Sequence, residues 1–218
     1  MQEPLTEGDN GGKGPGQRIK WREASAVPDL RAETKIRADA FGDDLLAALR
    51  KEGIDVSGVK RLADTATGVA SIYVADGDNS ILVVPGANDQ VTPADIDQHL
   101  DKLKEADIVL LQLEIPVETV FYAARIAKSL GKKVILNPAP ARELPQELYG
   151  CIDYMTPNRT ELGRYAGMGA DTSDTNSDFL RLAMRRLKEL LPRVRSCAKN
   201  SHTGWSGMRI LAPAICGN

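Results

Sequence analysis

The sequence predicts an α/β protein of three layers, a parallel sheet with helices on both faces, and three stretches carry that expectation. "DIVLLQLE" (107–114) and "KVILNP" (133–138) are continuous apolar runs of the kind buried on both sides of a parallel sheet. Between them, after Pro116, the residues Val117, Val120, Phe121, Ala124, Ala127 and Leu130 recur at helical spacing up to Gly131. Strand, helix and strand within about 30 residues make a βαβ unit, whose crossover is right-handed. "CIDYMTPN" (151–158) reads as a third short strand feeding another helix, so the core is of the doubly wound, Rossmann-like kind.

Nearer the N-terminus, "DDLLAALRKEG" (43–53) sets Leu45, Leu46 and Leu49 at helical spacing with a glycine stop, which reads as a surface helix. "TGVASIYVADGDNSILVVPGAN" (67–88) is two β-rich runs around Asp76-Gly77-Asp78-Asn79, where Asp-Gly supplies the positive φ that a hairpin turn needs. Thr92 before Pro93, with Asp95 at the third helical position, reads as an N-cap, and Ile96, Leu100 and Leu103 mark one face of the helix that follows. Both ends depart from this order. Residues 18–36 show no sustained period, and residues 196–218 end in Gly, Pro and Ser with no element to complete a sheet. The expected organisation is a disrupted segment over 1–37, an α/β core over 38–195 that includes the hairpin, and an irregular tail over 196–218.

Composition narrows the function. With 28 basic against 30 acidic residues, a net charge of −2 gives no field that would gather nucleic acid or an anionic membrane. The basic helix carrying Arg181, Arg185, Arg186 and Lys188 reads as a solvated face opposite Leu180, Ala183, Leu187 and Leu190. Cys151, Cys197 and Cys216 have no C-x-x-C spacing and His99 and His202 lie far apart, which argues against a structural zinc site. The N-terminus lacks the apolar core of a signal peptide and no apolar run is long enough to span a membrane, so the expected compartment is the cytoplasm.

Four stretches carry chemistry. "DNGGKGPGQ" (9–17) is a glycine loop, but Lys13 is followed by Gly14 rather than a hydroxyl residue and no strand precedes it, so it is not a Walker loop; a plain turn and a ligand loop both remain open. Glu114 stands at the carboxyl end of a buried strand, where doubly wound sheets bind their ligands. Prolines 138 and 140 stop the strand at Asn137 and shape the loop that follows. Asn158 and Glu161 have the spacing of an N-cap and its capping-box glutamate.

"GGKGPGQ", "LLQLEIP", "LNPAPARELP" and "TPNRTEL" resemble, in order and spacing, the ribokinase-like carbohydrate kinases of the phosphofructokinase B family. The resemblance runs from about Ala38 to about Glu161 and more weakly to Leu190, and "NPAPARELP" is closest to the ribokinase branch. It implies the ribokinase-like fold, with hairpin 67–88 as a lid over the sugar and a surface for homodimerisation. It also implies ATP-dependent phosphorylation of a sugar, D-ribose to ribose 5-phosphate, with Mg2+ and, in the family, a monovalent cation such as K+. On this basis Gly12, Lys13, Gly14 and Glu114 contact the sugar, while Asn158 and Glu161 serve the nucleotide phosphates, Glu161 through water on magnesium.

The same resemblance marks what is missing. Gly16 stands where the family has a sugar-contacting asparagine. No G-A-G-D stretch supplies the aspartate that takes the proton of the sugar hydroxyl; "GMGAD" (167–171) follows the capping-box helix too directly and has the wrong order. The first-strand Asn-x-Asp, the adenine-binding segment and the monovalent-cation loops are also absent. A shifted reading frame or a misassembled gene is the expected origin, and the two functions in view are a sugar kinase and a non-catalytic remnant that binds sugar weakly or not at all.

Overall fold

The computed structural model describes residues 30–75, 78–168, 177–191, 194–196 and 210–213. Its main sheet begins in a segment for which no period was expected: Leu30–Arg37 is a strand, β1. Ala32, Thr34 and Ile36 alternate as buried residues along it, while Arg31 and Arg37 reach towards solvent. That is a strand period of two, disguised by charges on the alternate positions. Lys35 is also buried, because its ammonium lies 2.6 Å from Asp95 Oδ2.

Helix α1 (Ala40–Lys51) follows, capped by Asp39, whose side chain accepts from the Gly42 amide. It starts three residues earlier than the 43–53 pattern suggests. Strand β2 (Asp55–Leu62) returns parallel to β1. The expected hairpin is present as β3 (Val69–Ala75) and β4 (Asp78–Val84), antiparallel from Val69↔Val84 to Ala75↔Asp78; the Asp76-Gly77 turn itself lies outside the described residues. A 3-10 turn over Gly86–Gln90 leads away from it. At the stem, the Ala87 amide donates to Ala66 O at 2.8 Å. Gly86 has φ +55°, and a Cβ there would lie 2.4 Å from Ala66 O, so only glycine fits.

The helix expected from Thr92 is two short ones, α2 (Pro93–Gln98) and α3 (Leu100–Glu105), separated at His99. Thr92 does cap α2: its amide and hydroxyl both donate to Asp95 Oδ2, at 2.8 and 2.7 Å. The βαβ unit stands as read, with β5 (Ile108–Gln112), α4 (Val117–Ser129) and β6 (Lys133–Asn137), and the two strands are parallel neighbours. Then come α5 (Gln146–Tyr149), β7 (Tyr154–Met155), α6 (Arg159–Tyr165), α7 (Ser177–Leu190), β8 (Arg195–Ser196) and β9 (Ile210–Pro213).

The sheet order is β2-β1-β9-β5-β6-β7-β8, all parallel. Strand β9 therefore joins β1 to β5, and the reading of 196–218 as a stretch with no element to complete a sheet is corrected. Four residues show no period by themselves, and their hydrogen-bonding partners lie some hundred and more positions back in the chain. The sheet likewise crosses the expected boundary at residue 38 through β1.

One large core joins β5, β6 and β7 to helices α4 to α7, including Val109, Leu111, Val134, Leu136 and Met155 from the strands. Helix α4 meets it through Val120, Ala123, Ala124 and Ala127, small residues that let helix and sheet approach closely. Each fully buried large aliphatic contributes about 1.5–3 kcal/mol, so this half of the sheet holds most of the stability. A smaller cluster of Ala32, Leu49 and Ile54 supports α1 against β1 and β2.

Candidate active site

Parallel pairing puts the carboxyl ends of β5, β6 and β7 along one edge, with Gln112 opposite Asn137 and Leu136 opposite Met155. Residues just past those ends lie at the edge where doubly wound sheets bind their ligands. Glu114 lies two positions beyond β5, partly buried between Leu113 and Ile115, which are both fully covered. The Leu113 amide donates to Ala139 O at 3.0 Å and fastens this strand exit to the "NPAP" loop.

Asn158 and Glu161 lie beyond β7. The Glu161 amide donates to Asn158 Oδ1 at 2.8 Å, while the Asn158 amide donates to Glu161 Oε2 at 2.7 Å and Asn158 Nδ2 to Oε1 at 2.8 Å. The capping box is complete, and it holds a carboxylate 6% exposed in fixed orientation. The box pairs a carboxylate, the kind of group that orients water on magnesium, with a side-chain amide that uses one of its two Nδ2 hydrogens within the box, the kind of group that donates to a phosphate oxygen. The residues present fit magnesium and nucleotide on that chemistry.

Asn158 and Glu161 are thus directly together, and Glu114 shares their edge across β6. Gly12, Lys13 and Gly14 lie outside the described residues, as do Cys197, His202 and Cys216 and the last three residues of "GMGAD". Cys151 is a free thiol whose pKa burial pushes up. Burial also lowers the pKa of His99. Among the described residues, no three His, Cys, Asp or Glu side chains group as metal ligands, and no helix is long and apolar enough to cross a membrane.

Two supports were not read from the sequence. Tyr165 Oη donates to Arg142 O at 2.9 Å and accepts from the Arg142 amide at 3.1 Å, pinning the loop after β6 to α6. Asp39, at the carboxyl end of β1, accepts from the Thr67 hydroxyl at 2.9 Å, and Thr67 Oγ1 accepts from the Arg37 amide at 2.9 Å. The Gly42 amide is the main cause holding the Asp39 carboxyl below its ordinary range, with Thr67 adding to it. This knot ties the base of the hairpin to the main sheet. Asp39 before a leucine-rich helix was a visible N-cap signal, whereas Thr67 became its partner only through the fold.

Residues 32–189 match the pfkB family of carbohydrate kinases, and the chain belongs to that family. A deoxyribokinase and ribokinases are among its relatives. It is 39% identical to the deoxyribokinase of Salmonella typhi over 180 residues, which is 81% of this chain and 56% of that protein. It is 38% identical to the ribokinase of Staphylococcus aureus, covering 77% of this chain and 55% of the other. The structure of Arabidopsis thaliana ribokinase complexed with ribose and ATP superposes with a TM-score of 0.66 at 29% identity, over 81% of this chain and 57% of that one. The chain spans about half the length of the curated relatives it matches. The fold is ribokinase-like α/β, as the motifs implied.

Proposed function

We propose that this chain carries the sugar-contacting and phosphate-side parts of a pentose kinase site, with D-ribose the first substrate to test and 2-deoxyribose the second, and that by itself it transfers no phosphoryl group. The observation that carries the reading is the shared carboxyl edge: Glu114 past β5, and the intact Asn158–Glu161 box past β7. ATP would supply the phosphoryl group and Mg2+ the charge neutralisation of its oxygens. Glu161 would orient water on the ion, Asn158 would offer its free N–H to a phosphate, and Glu114 would accept from a sugar hydroxyl. Gly12, Lys13 and Gly14 would supply further sugar contacts.

What the chain lacks is a base: no G-A-G-D occurs in the 218 residues. Without an aspartate to take the hydroxyl proton, no ribose-dependent ATP turnover is expected in a coupled assay, and a rate within the ordinary enzyme range of about 1–1,000 per second would refute this. Sugar binding should be weak as well. Each missing hydrogen bond costs roughly 0.5–1.5 kcal/mol, so losing the loop asparagine, the Asn-x-Asp pair and the base lowers ribose affinity at least about a hundredfold. Calorimetry with ribose decides: saturable micromolar binding abolished by Glu114→Ala would show that the partial site suffices.

The hairpin supports the lid assignment and a homodimer. Tyr73, Leu82 and Val84 line one face and Ile72, Val74, Ile81 and Val83 the other, all substantially exposed. A two-stranded sheet wet on both faces is marginal, and an apolar surface of this kind is covered in a working assembly by sugar cleft and partner subunit.

A further inference from the structure

Asn137 is the last residue of β6, the strand between those leading to Glu114 and to Asn158. Its Oδ1 is buried and, among the described residues, accepts no hydrogen bond. A buried carbonyl oxygen left this way costs the folding equilibrium a factor of roughly 5 to 150, which a structural asparagine would recover from a neighbouring donor.

The local sequence withholds that donor. Pro138 and Pro140 have no N–H, and the Ala139 amide is already used, donating to Asn137's own main-chain O at 2.9 Å. Beyond that, Pro138 is fully buried and Ala139 O is taken by the Leu113 amide, so the loop is held as it stands. Of the polar groups on either side, Glu114 offers carboxylate oxygens, the Asn158 amide and one Nδ2 hydrogen go to Glu161, and the second Nδ2 hydrogen is not bonded to Asn137 Oδ1. Arg159, also buried with unmatched donors, has its guanidinium 4.9 Å from the Phe179 ring centre.

We infer that Asn137 is a ligand-contacting residue of the site, its Oδ1 accepting an O–H hydrogen from the bound ligand in the middle of the crevice. The inference rests on the proposed pentose kinase reading. An acceptor there excludes a bare phosphoryl oxygen and selects a hydroxyl-type donor, which is either a sugar hydroxyl or a water held by magnesium. Both fit a position between the sugar end and the phosphate end. The side chain is neutral as well, so it accepts a hydrogen without adding a third negative charge beside Glu114 and Glu161.

The test uses the full chain and two variants. Asn137→Leu keeps the shape and removes the acceptor, and Asn137→Asp keeps an acceptor. Thermal unfolding is followed alone, with ribose, with ATP and MgCl2, and with ATP and a chelator; calorimetry gives the affinities. Expected results are that unliganded Asn137→Leu melts at or above wild type, that it binds one ligand roughly 2- to 10-fold more weakly, and that Asn137→Asp recovers at least part of the loss. A loss confined to ribose identifies a sugar hydroxyl, and one that needs magnesium identifies ion-bound water. Unliganded Asn137→Leu melting below wild type, or binding both ligands as wild type does, overturns the inference alone. Wild type binding neither ribose nor Mg·ATP overturns the kinase reading and the inference with it.

Discussion

Replacing Glu161 by glutamine changes one oxygen for an amide group and so separates the two roles its carboxylate can hold. In the present geometry Oε2 accepts from the Asn158 amide at 2.7 Å and Oε1 from Asn158 Nδ2 at 2.8 Å. Glutamine can accept only one of these, its nitrogen then faces a donor, and the surviving bond loses its charge assistance. A hydrogen bond to a charged group contributes about 1.5–3 kcal/mol and a neutral one about 0.5–1.5. One lost and one weakened amounts to about 2.5–4.5 kcal/mol, and water reaching the exposed Asn158 side recovers part of it, leaving about 1–3 kcal/mol. For a chain of this size that lowers the melting temperature by roughly 2–10 °C. Circular dichroism melts with and without Mg·ATP read both effects. The expected outcome is a lower melting temperature together with loss of any Mg·ATP-induced rise. Unchanged stability would refute the capping argument, and a stability loss with the Mg·ATP shift intact would show Glu161 to be a cap and nothing more.

Three further outcomes follow from the same structure. Burial raises the pKa of Asp95, but hydrogen bonds from Lys35 and Thr92 outweigh it and hold the carboxyl at about 2, below its ordinary 3.8. A depressed folded pKa stabilises above the unfolded value, so about 2 kcal/mol, present near neutrality, is lost as pH falls from about 4 to about 2. Urea titrations should show the gap between wild type and Asp95→Asn closing over that window, and a constant gap would contradict it. Tyr165→Phe removes both bonds to Arg142 and should cost about 1–2 kcal/mol, with faster hydrogen exchange across residues 139–144; exchange unchanged there would mean the loop is held elsewhere. Leu82→Lys sets a charge on an exposed apolar hairpin face and, on the proposed homodimer, should shift sedimentation towards monomer, whereas a dimer profile left unchanged would exclude that face from the interface.

The βαβ unit, the hairpin and the capping box were legible because each is written locally. Apolar runs, a helical period, an Asp-Gly turn and an Asn-x-x-Glu spacing all act within a few residues of themselves. The kinase family was legible for the same reason, through short motifs in order. Other features were not. Strand β1 hid its alternation behind charged residues, and Lys35 is buried only because Asp95, on a different element, neutralises it. The 92–105 helix broke at His99, whose backbone at φ −116° and ψ 18° leaves the helical region although the apolar face runs on in sequence.

Sequence by itself determined the type of each central element and the identity of the polar groups at the strand ends. Tertiary structure alone decided which strands are neighbours, bringing β9 between β1 and β5 and lining Glu114, Asn137 and Asn158 along one edge. It also decided that the Glu161 carboxylate is bonded to Asn158 whereas Asn137 Oδ1 has no hydrogen bond among the described residues. The physical reason is range. Propensity, capping and turn chemistry act over a few residues of chain, whereas strand order and the satisfaction of a buried polar atom depend on groups that meet only once the chain has folded.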